Sequence, residues 1–124
     1  MYCIVLKLYY LCRMNIEKTN AQMRKGVLEF CILLIISEHE VYASDIITKL
    51  KNARLLVVEG TLYPLLTRLK NDGLLSYRWE ESKSGPPRKY YEITDSGRTF
   101  LEEMKKSCDE LVEVVRNLSK NENK

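Results

Sequence analysis

Residues 54–94 constrain the fold of this 124-residue chain most strongly, because they predict a helix followed directly by a β-hairpin. One helical face is formed by leucines spaced three and four residues apart: Leu62, Leu65, Leu66 and Leu69. Proline is tolerated only in the first turn of a helix, so Pro64 places the helix start near Gly60 or Thr61. Gly73 suits the position just past the end of the helix. The pattern therefore predicts a helix of about 12 residues.

A β-hairpin with a basic tip is predicted after this helix. Residues 75–80 alternate apolar and polar side chains, as a half-buried strand does, and residues 90–93 are the predicted partner strand. Gly85–Pro87 exclude a regular strand between them. Trp79 is expected to pack in the core of the hairpin, and stacking on a ligand is the alternative. The tip carries three basic residues with no acid among them, Lys83, Arg88 and Lys89. A helix followed by a basic hairpin is the outline of a winged helix-turn-helix, in a mainly α (α+β) fold.

The helix and the tip carry candidate contacts to double-stranded DNA. The second helix of a helix-turn-helix inserts its N-terminal end into the major groove, and the candidates there are Thr61, Tyr63, Pro64, Thr67 and Arg68. A guanine, a phosphate or a nearby acid are alternative partners for Arg68. Helix capping is the alternative role for Thr61, and surface packing is the alternative for Tyr63. The three basic residues of the tip are phosphate or minor-groove candidates, with a solvated loop as the alternative.

Two further helices are predicted before this segment, which gives a winged domain over residues 20–94. The first spans residues 20–38 and is apolar from Val27 to Ile36 except at Glu29, so one small domain should not cover it fully and a second subunit is expected to. Arg24 and Lys25, near the start of this helix, are phosphate candidates or a solvated cap. The second helix spans residues 43–53 with Ser44 as its N-cap, after a turn with a minimal strand at Val41.

The C-terminal helix is predicted over residues 95–118, with Thr94 as its N-cap and a frayed tail over residues 119–124. It carries a heptad seam made of Leu101, Met104, Cys108, Leu111, Val115 and Leu118. The seam predicts a homodimer, and a helix folded back on its own domain is the alternative. Phe30 and Leu34 of the first helix, together with Met104, Cys108 and Leu111, are expected to line an effector pocket or simply to pack the interface.

Bulk composition bounds the remaining possibilities. The net charge is only +3, and the four cysteines show no metal-binding spacing, so Cys31 and Cys108 are expected to be buried reduced thiols. No catalytic constellation, cofactor motif or secretion signal is evident, which favours a cytoplasmic protein that is not an enzyme.

Residues 1–13 are an apolar leader, too short to span a bilayer. A native start at Met14 is the expectation for this segment, and a strand or helix that caps a hydrophobic surface is the alternative.

Several stretches resemble the PadR family of transcriptional regulators: QMRKGVLE at 22–29, EGTLYPLL at 59–66, LKNDGLL at 69–75 and SGPPRKYY at 84–91. The resemblance extends from about Gln22 to Leu118, and the chain is similar to the short branch with one C-terminal helix. It implies a winged helix with a C-terminal dimerisation helix, and a dimeric, sequence-specific repressor that a small apolar or aromatic effector releases. A winged-helix module that binds a protein instead of DNA remains the alternative.

The chain departs from the family pattern at two places. Members commonly open the second helix with Tyr-Gly-Tyr, and the resemblance implies a DNA contact for Tyr42. Because Ala43 and Ser44 follow it here, the contact of the second tyrosine is lost. The C-terminal helix carries only Phe100 as an aromatic residue, which weakens the inference of a flat aromatic effector.

Overall fold

The structure is a computed structural model that describes residues 2–55 and 59–120. Within those ranges the elements are α1 Tyr2–Glu38, β1 Val41–Tyr42, α2 Ala43–Asn52, α3 Glu59–Asn71, β2 Leu75–Glu80, β3 Arg88–Ile93 and α4 Asp95–Lys120. The mainly helical fold with a small antiparallel sheet and a C-terminal helix confirms the predicted class. Helix α4 continues to Lys120, so the predicted frayed tail over residues 119–124 starts too early. Residues 121–124 and the link at 56–58 lie outside the described residues.

The sheet has the order β1-β3-β2, and both pairs of neighbouring strands are antiparallel. Tyr91 of β3 lies opposite Val41 on one side and Tyr77 on the other, so the predicted minimal strand at Val41 is confirmed. We call β2, β3 and the connecting residues 81–87 the wing. Strand β3 begins earlier than predicted. Arg88 pairs with Glu80 and Lys89 pairs with Trp79, so both basic residues belong to β3 and not to the tip of the hairpin.

The core lies where the C-terminal half of α1 meets α2, α3, the sheet and the first turns of α4. Ile32, Leu33 and Ile36 of α1 are fully buried there, so much of the apolar run at 27–36 is covered within a single chain. The leucine stripe of α3 is confirmed, with Leu62, Leu66 and Leu69 buried and Leu65 half-buried. Leu101 of the predicted seam is buried in this same core, so it is covered within a single chain.

Helix α1 begins at Tyr2, and the predicted start at residue 20 was wrong. No Gly or Pro occurs between Tyr2 and Lys25, so nothing in this stretch stops the helix. Five described apolar side chains of the leader are exposed in the single chain and do not pack on its core: Ile4, Val5, Leu6, Leu8 and Tyr10. None of the described helices is long and apolar enough to cross a membrane.

The caps of the helices correct one prediction and confirm two. Helix α2 begins at Ala43, and the Asp45 carboxylate accepts a hydrogen bond from the Tyr42 backbone N–H at 3.2 Å, so Ser44 is not the N-cap. Gly73 ends α3 with a φ of 80°, as predicted. Thr94 caps α4, because its Oγ1 accepts a hydrogen bond from the Gly97 N–H at 3.0 Å.

Helix α3 begins at Glu59, one residue before the predicted region, so Pro64 is its sixth residue and not part of its first turn. A residue at that position would otherwise donate to the carbonyl of Gly60, four residues earlier. The proline removes that bond and leaves the Gly60 carbonyl without its helical donor.

Gly97 is required by a close backbone approach at the start of α4. A Cβ on this residue would overlap the Leu74 carbonyl oxygen and would lie 2.7 Å from Cγ1 of Ile93. We expect Gly97→Ala to lower the free energy of unfolding by about 1–3 kcal/mol, because the backbone has to shift. Gly85→Ala is the matched control, since its Cβ would meet only Oγ of Ser82, at 3.7 Å. Urea denaturation checks both variants, and equal stabilities would contradict the close approach.

Candidate nucleic-acid interface

The solvent face of α3 carries the polar residues that the sequence singled out. All five are exposed, on the side of the helix opposite the buried leucines: Thr61, Tyr63, Pro64, Thr67 and Arg68. The hydroxyl of Thr67 donates a hydrogen bond to the Tyr63 carbonyl at 3.0 Å, so its lone pairs face outward as acceptors. This face of α3 offers both donors and acceptors to a ligand.

Arg68 forms an ion pair with Glu29 of α1. A nearby acid is one of the three partners predicted for Arg68, and that contact is present in the single chain. Both side chains keep some exposure to solvent, so the pair is worth about 1 kcal/mol or less. Arg68 can therefore exchange Glu29 for another anion at small cost.

A cleft of about 480 Å³ lies between α3 and the wing, and we call it the helix–wing cleft. The sequence-predicted residues that it brings together are Tyr42, Tyr63, Thr67, Arg88 and Lys89. Its other walls are Ala43, Ser44, Trp79, Pro87 and Tyr91. The lining contains no acidic side chain, so its charge is positive.

The basic residues of the wing have different partners. Arg78 donates to Glu40 through Nε at 3.2 Å and also pairs with Glu80, so its charge is neutralised locally. Arg88 instead lies over the ring of Tyr42, with its guanidinium carbon 5.3 Å from the ring centre. Nζ of Lys89 lies 4.4 Å from the ring centre of Tyr77 and 5.1 Å from that of Trp79. Within the described part of the chain, Arg88 and Lys89 contact aromatic rings and no carboxylate, which leaves their charges available to an anion.

Tyr42 remains a neutral phenol at the edge of the cleft. Its ring centre lies 3.8 Å from that of Tyr90. A hydrogen bond to Tyr90 is the main cause, and burial the second cause, that raises the pKa of Tyr42 to about 12. A neutral phenol does not repel a bound anion, and the raised pKa keeps Tyr42 neutral to a higher pH than an ordinary tyrosine.

The other predicted contacts lie outside the lining of the cleft. Lys83 is exposed in the turn of the wing, and Thr61 and Arg68 lie on the exposed face of α3. Arg24 and Lys25 are exposed within α1, more than twenty residues after its first residue, so they do not form the start of this helix as predicted.

Trp79 was not among the predicted DNA contacts, and stacking on a ligand was only its alternative role. It was expected in the hairpin core, but 61% of its surface is exposed, and it contacts Tyr77 edge-to-face at 6.2 Å. The alternation along β2 puts Leu75, Tyr77 and Trp79 on one face, but the strand continues past the end of the core. The sequence feature that could have indicated a binding role for Trp79 is its position next to the basic tip of the hairpin.

The sequence model of the PadR-like family of transcriptional regulators matches residues 32–103, which is more than half of the chain. The chain belongs to this family. It is 31% identical over 94 residues to a transcriptional regulator of Mycobacterium tuberculosis, across 76% of this chain and 87% of that protein.

Solved structures of PadR-like proteins have the same fold. A PadR-like transcription factor from Bacteroides fragilis is 61% identical, with a TM-score of 0.71 across 82% of this chain and 98% of that one. Bacillus subtilis PadR, solved in complex with operator DNA, is 26% identical, with a TM-score of 0.59 across 63% of this chain and 46% of that one.

In this PadR-like chain, α4 runs from the core into solvent. Leu101 is buried and Met104 and Cys108 are half-buried, whereas Leu111, Val115 and Leu118 are each more than half exposed. The predicted seam is thus divided, with its first residue in the core of the domain and its last three on an uncovered face.

Cys31 on α1 lies near Cys108 on α4. Burial raises the pKa of the Cys31 thiol, and the nearby Cys108 raises it further. Both cysteines are free and only half-buried, so the expectation of fully buried thiols holds in part.

Proposed function

We propose that this protein is a homodimeric, sequence-specific DNA-binding repressor of transcription. The observation that carries the proposal is the acid-free helix–wing cleft beside the polar face of α3, in a chain of the PadR-like family. An exposed apolar face on α3 would instead favour a protein partner, and the residues there are polar or basic apart from Pro64 and the ring of Tyr63. The complex of Bacillus subtilis PadR with operator DNA supports the same reading.

In this proposal α3 enters the major groove. Thr61 and Thr67 lie near the groove wall, Tyr63 and Pro64 face the base edges, and Arg68 leaves Glu29 for a base or a phosphate. Tyr42, Arg88 and Lys89 face the DNA strand next to α3, and Lys83 reaches the next stretch of backbone from the turn of the wing. Arg24 and Lys25 are more distant backbone anchors on α1.

The second copy of the chain is proposed to dock on the uncovered half of α4. Leu111, Val115 and Leu118 recur with four- and three-residue spacing, so they form one apolar face that a single chain leaves in water. Covering this face with its equivalent in another chain yields an isologous dimer and places two copies of α3 on one duplex. A dimer seated on an operator excludes other proteins from that DNA, which is the simplest form of repression.

An apolar effector is proposed to bind between α1 and α4. Met104 and Cys108 of α4 and Phe30 and Leu34 of α1 are half-buried there, and Leu111 continues the strip onto the exposed face. A molecule lodged between these helices in the dimer would change the separation of the two α3 helices. Because a dimer reads half-sites about 34 Å apart, the effector weakens DNA binding if it favours a different separation.

The dimer is tested by the double variant Leu111→Glu, Val115→Glu. Both side chains are exposed in the single chain, so we expect the domain to keep its fold while buried charge prevents association. Light scattering at micromolar concentration should then give half the mass of the unmodified protein. Glu113→Gln, also exposed on α4, is the matched control and should remain dimeric. A monomeric unmodified protein would refute the proposal.

The wing is tested by the salt dependence of DNA binding. Lys83→Ala and Arg88→Ala should each lower the slope of log K against log salt by about 0.9, because each removes one phosphate contact. Lys105→Ala removes an exposed lysine that pairs with Glu102 on α4, and it should leave the slope unchanged. Fluorescence anisotropy of a labelled duplex measures all three. Altered sequence preference with an unchanged slope would mean that the wing reads bases and does not bind phosphates.

A further inference from the structure

Trp79 is a large aromatic side chain that the core of the domain does not use. It is the only tryptophan in the sequence, and most of its surface is exposed at the far end of β2. It lines the helix–wing cleft on one side and, with Glu81, Pro86 and Pro87, a second concave surface on the other. Exposure of an indole ring to water is unfavourable in proportion to its apolar area. A partner that covers the ring would therefore bind with a favourable hydrophobic contribution.

The chemistry around Trp79 favours an anion that also carries apolar surface. Tyr63, Trp79 and Tyr42 supply rings, whereas Arg88 and Lys89 supply two positive charges, and the lining has no carboxylate to compete. DNA backbone has this composition, because charged phosphates alternate with largely apolar deoxyribose rings. The cleft opens between the helix and the wing, which is where a strand passes if α3 occupies the adjacent groove.

The side chains of Arg88 and Lys89 contact aromatic rings in the absence of a ligand. Lys89 lies over both Tyr77 and Trp79, on the strand directly opposite Trp79, and Arg88 lies over Tyr42. These contacts limit the positions that the two long side chains sample, which lowers the entropy lost when a phosphate is bound. Trp79 therefore also limits the positions of Lys89.

We propose that the helix–wing cleft holds the sugar–phosphate backbone of one DNA strand, with Trp79 packed against deoxyribose and with Arg88 and Lys89 on the flanking phosphates. This inference rests on the proposed DNA-binding function and adds the path of the strand. Contacts of this kind act on any sequence, so Trp79 contributes affinity and not sequence preference.

The single tryptophan makes the contact directly observable. A mixed-sequence duplex at low salt is the probe, anisotropy of its label reports binding, and acrylamide quenching of Trp79 reports the contact. Acrylamide is neutral, so the DNA does not repel it. We expect bound duplex to lower the quenching constant at least about twofold, because the ring loses exposed area. Absence of binding would refute the proposed function, whereas binding with unchanged quenching would refute the strand path alone.

Variants at Trp79 separate the ring from the fold. Trp79→Ala should weaken duplex binding about tenfold for all sequences alike, because the apolar area that the ring buries against deoxyribose is lost. Trp79→Phe keeps a ring and should bind within about twofold of the unmodified protein. Ser76→Ala, on the same strand outside the cleft, is the control, and thermal denaturation verifies that all three variants fold.

Two results would overturn the assignment even if the duplex binds. Equal affinities for Trp79→Ala and the unmodified protein would show that the ring contributes nothing to the complex. Stronger protection of Trp79 by a single-stranded oligonucleotide than by the duplex would show that the cleft takes an unpaired base and not the backbone of a duplex.

Discussion

The relative positions of α3, the wing and α4 depend on one junction, where the backbone at Gly73 and Leu74 meets Thr94 and Gly97. The Thr94 N–H donates to the Leu74 carbonyl at 3.1 Å, and its hydroxyl donates to the Gly73 carbonyl at 2.6 Å. The same hydroxyl oxygen accepts from the Gly97 N–H and so begins α4. One threonine thus ties the end of α3, the hairpin and the start of α4 together. In the proposed dimer, a shift of α4 would be transmitted through this junction to α3.

Local chemistry made most of this junction and of the wing predictable from the sequence. The leucine spacing, the glycine after α3, the alternation along β2 and the cap at Thr94 are signals carried by a few neighbouring residues, and the structure confirms each of them. The start of α1 could not be predicted, because no proline or glycine between Tyr2 and Lys25 marks it. Ser44 was wrongly predicted to cap α2. The cap is formed instead by the Asp45 carboxylate and the backbone N–H of Tyr42, where β1 turns directly into α2.

Contacts between distant residues could not be predicted from such signals. The heptad seam shows that Leu101 and Leu111 share a face, but not that the first lies in the core and the second in solvent. Likewise, alternation gives the face of Trp79 but not the point at which the core ends. The pairing of Arg68 with Glu29 joins α3 to α1 and has no local signature. The charges of the candidate site therefore had to be read from the structure: Arg78 is neutralised by acids, whereas Arg88 and Lys89 are held on rings.

The central claim is that two copies of α3 read one DNA site in a sequence-specific manner. Selection of bound duplexes from a random pool, at defined salt, tests it most directly. The account predicts enrichment of an inverted repeat whose half-sites are centred about one helical turn apart, because a symmetric dimer presents its two helices at that spacing. Recovery of duplexes with no enriched sequence, although the protein binds DNA at low salt, would contradict it.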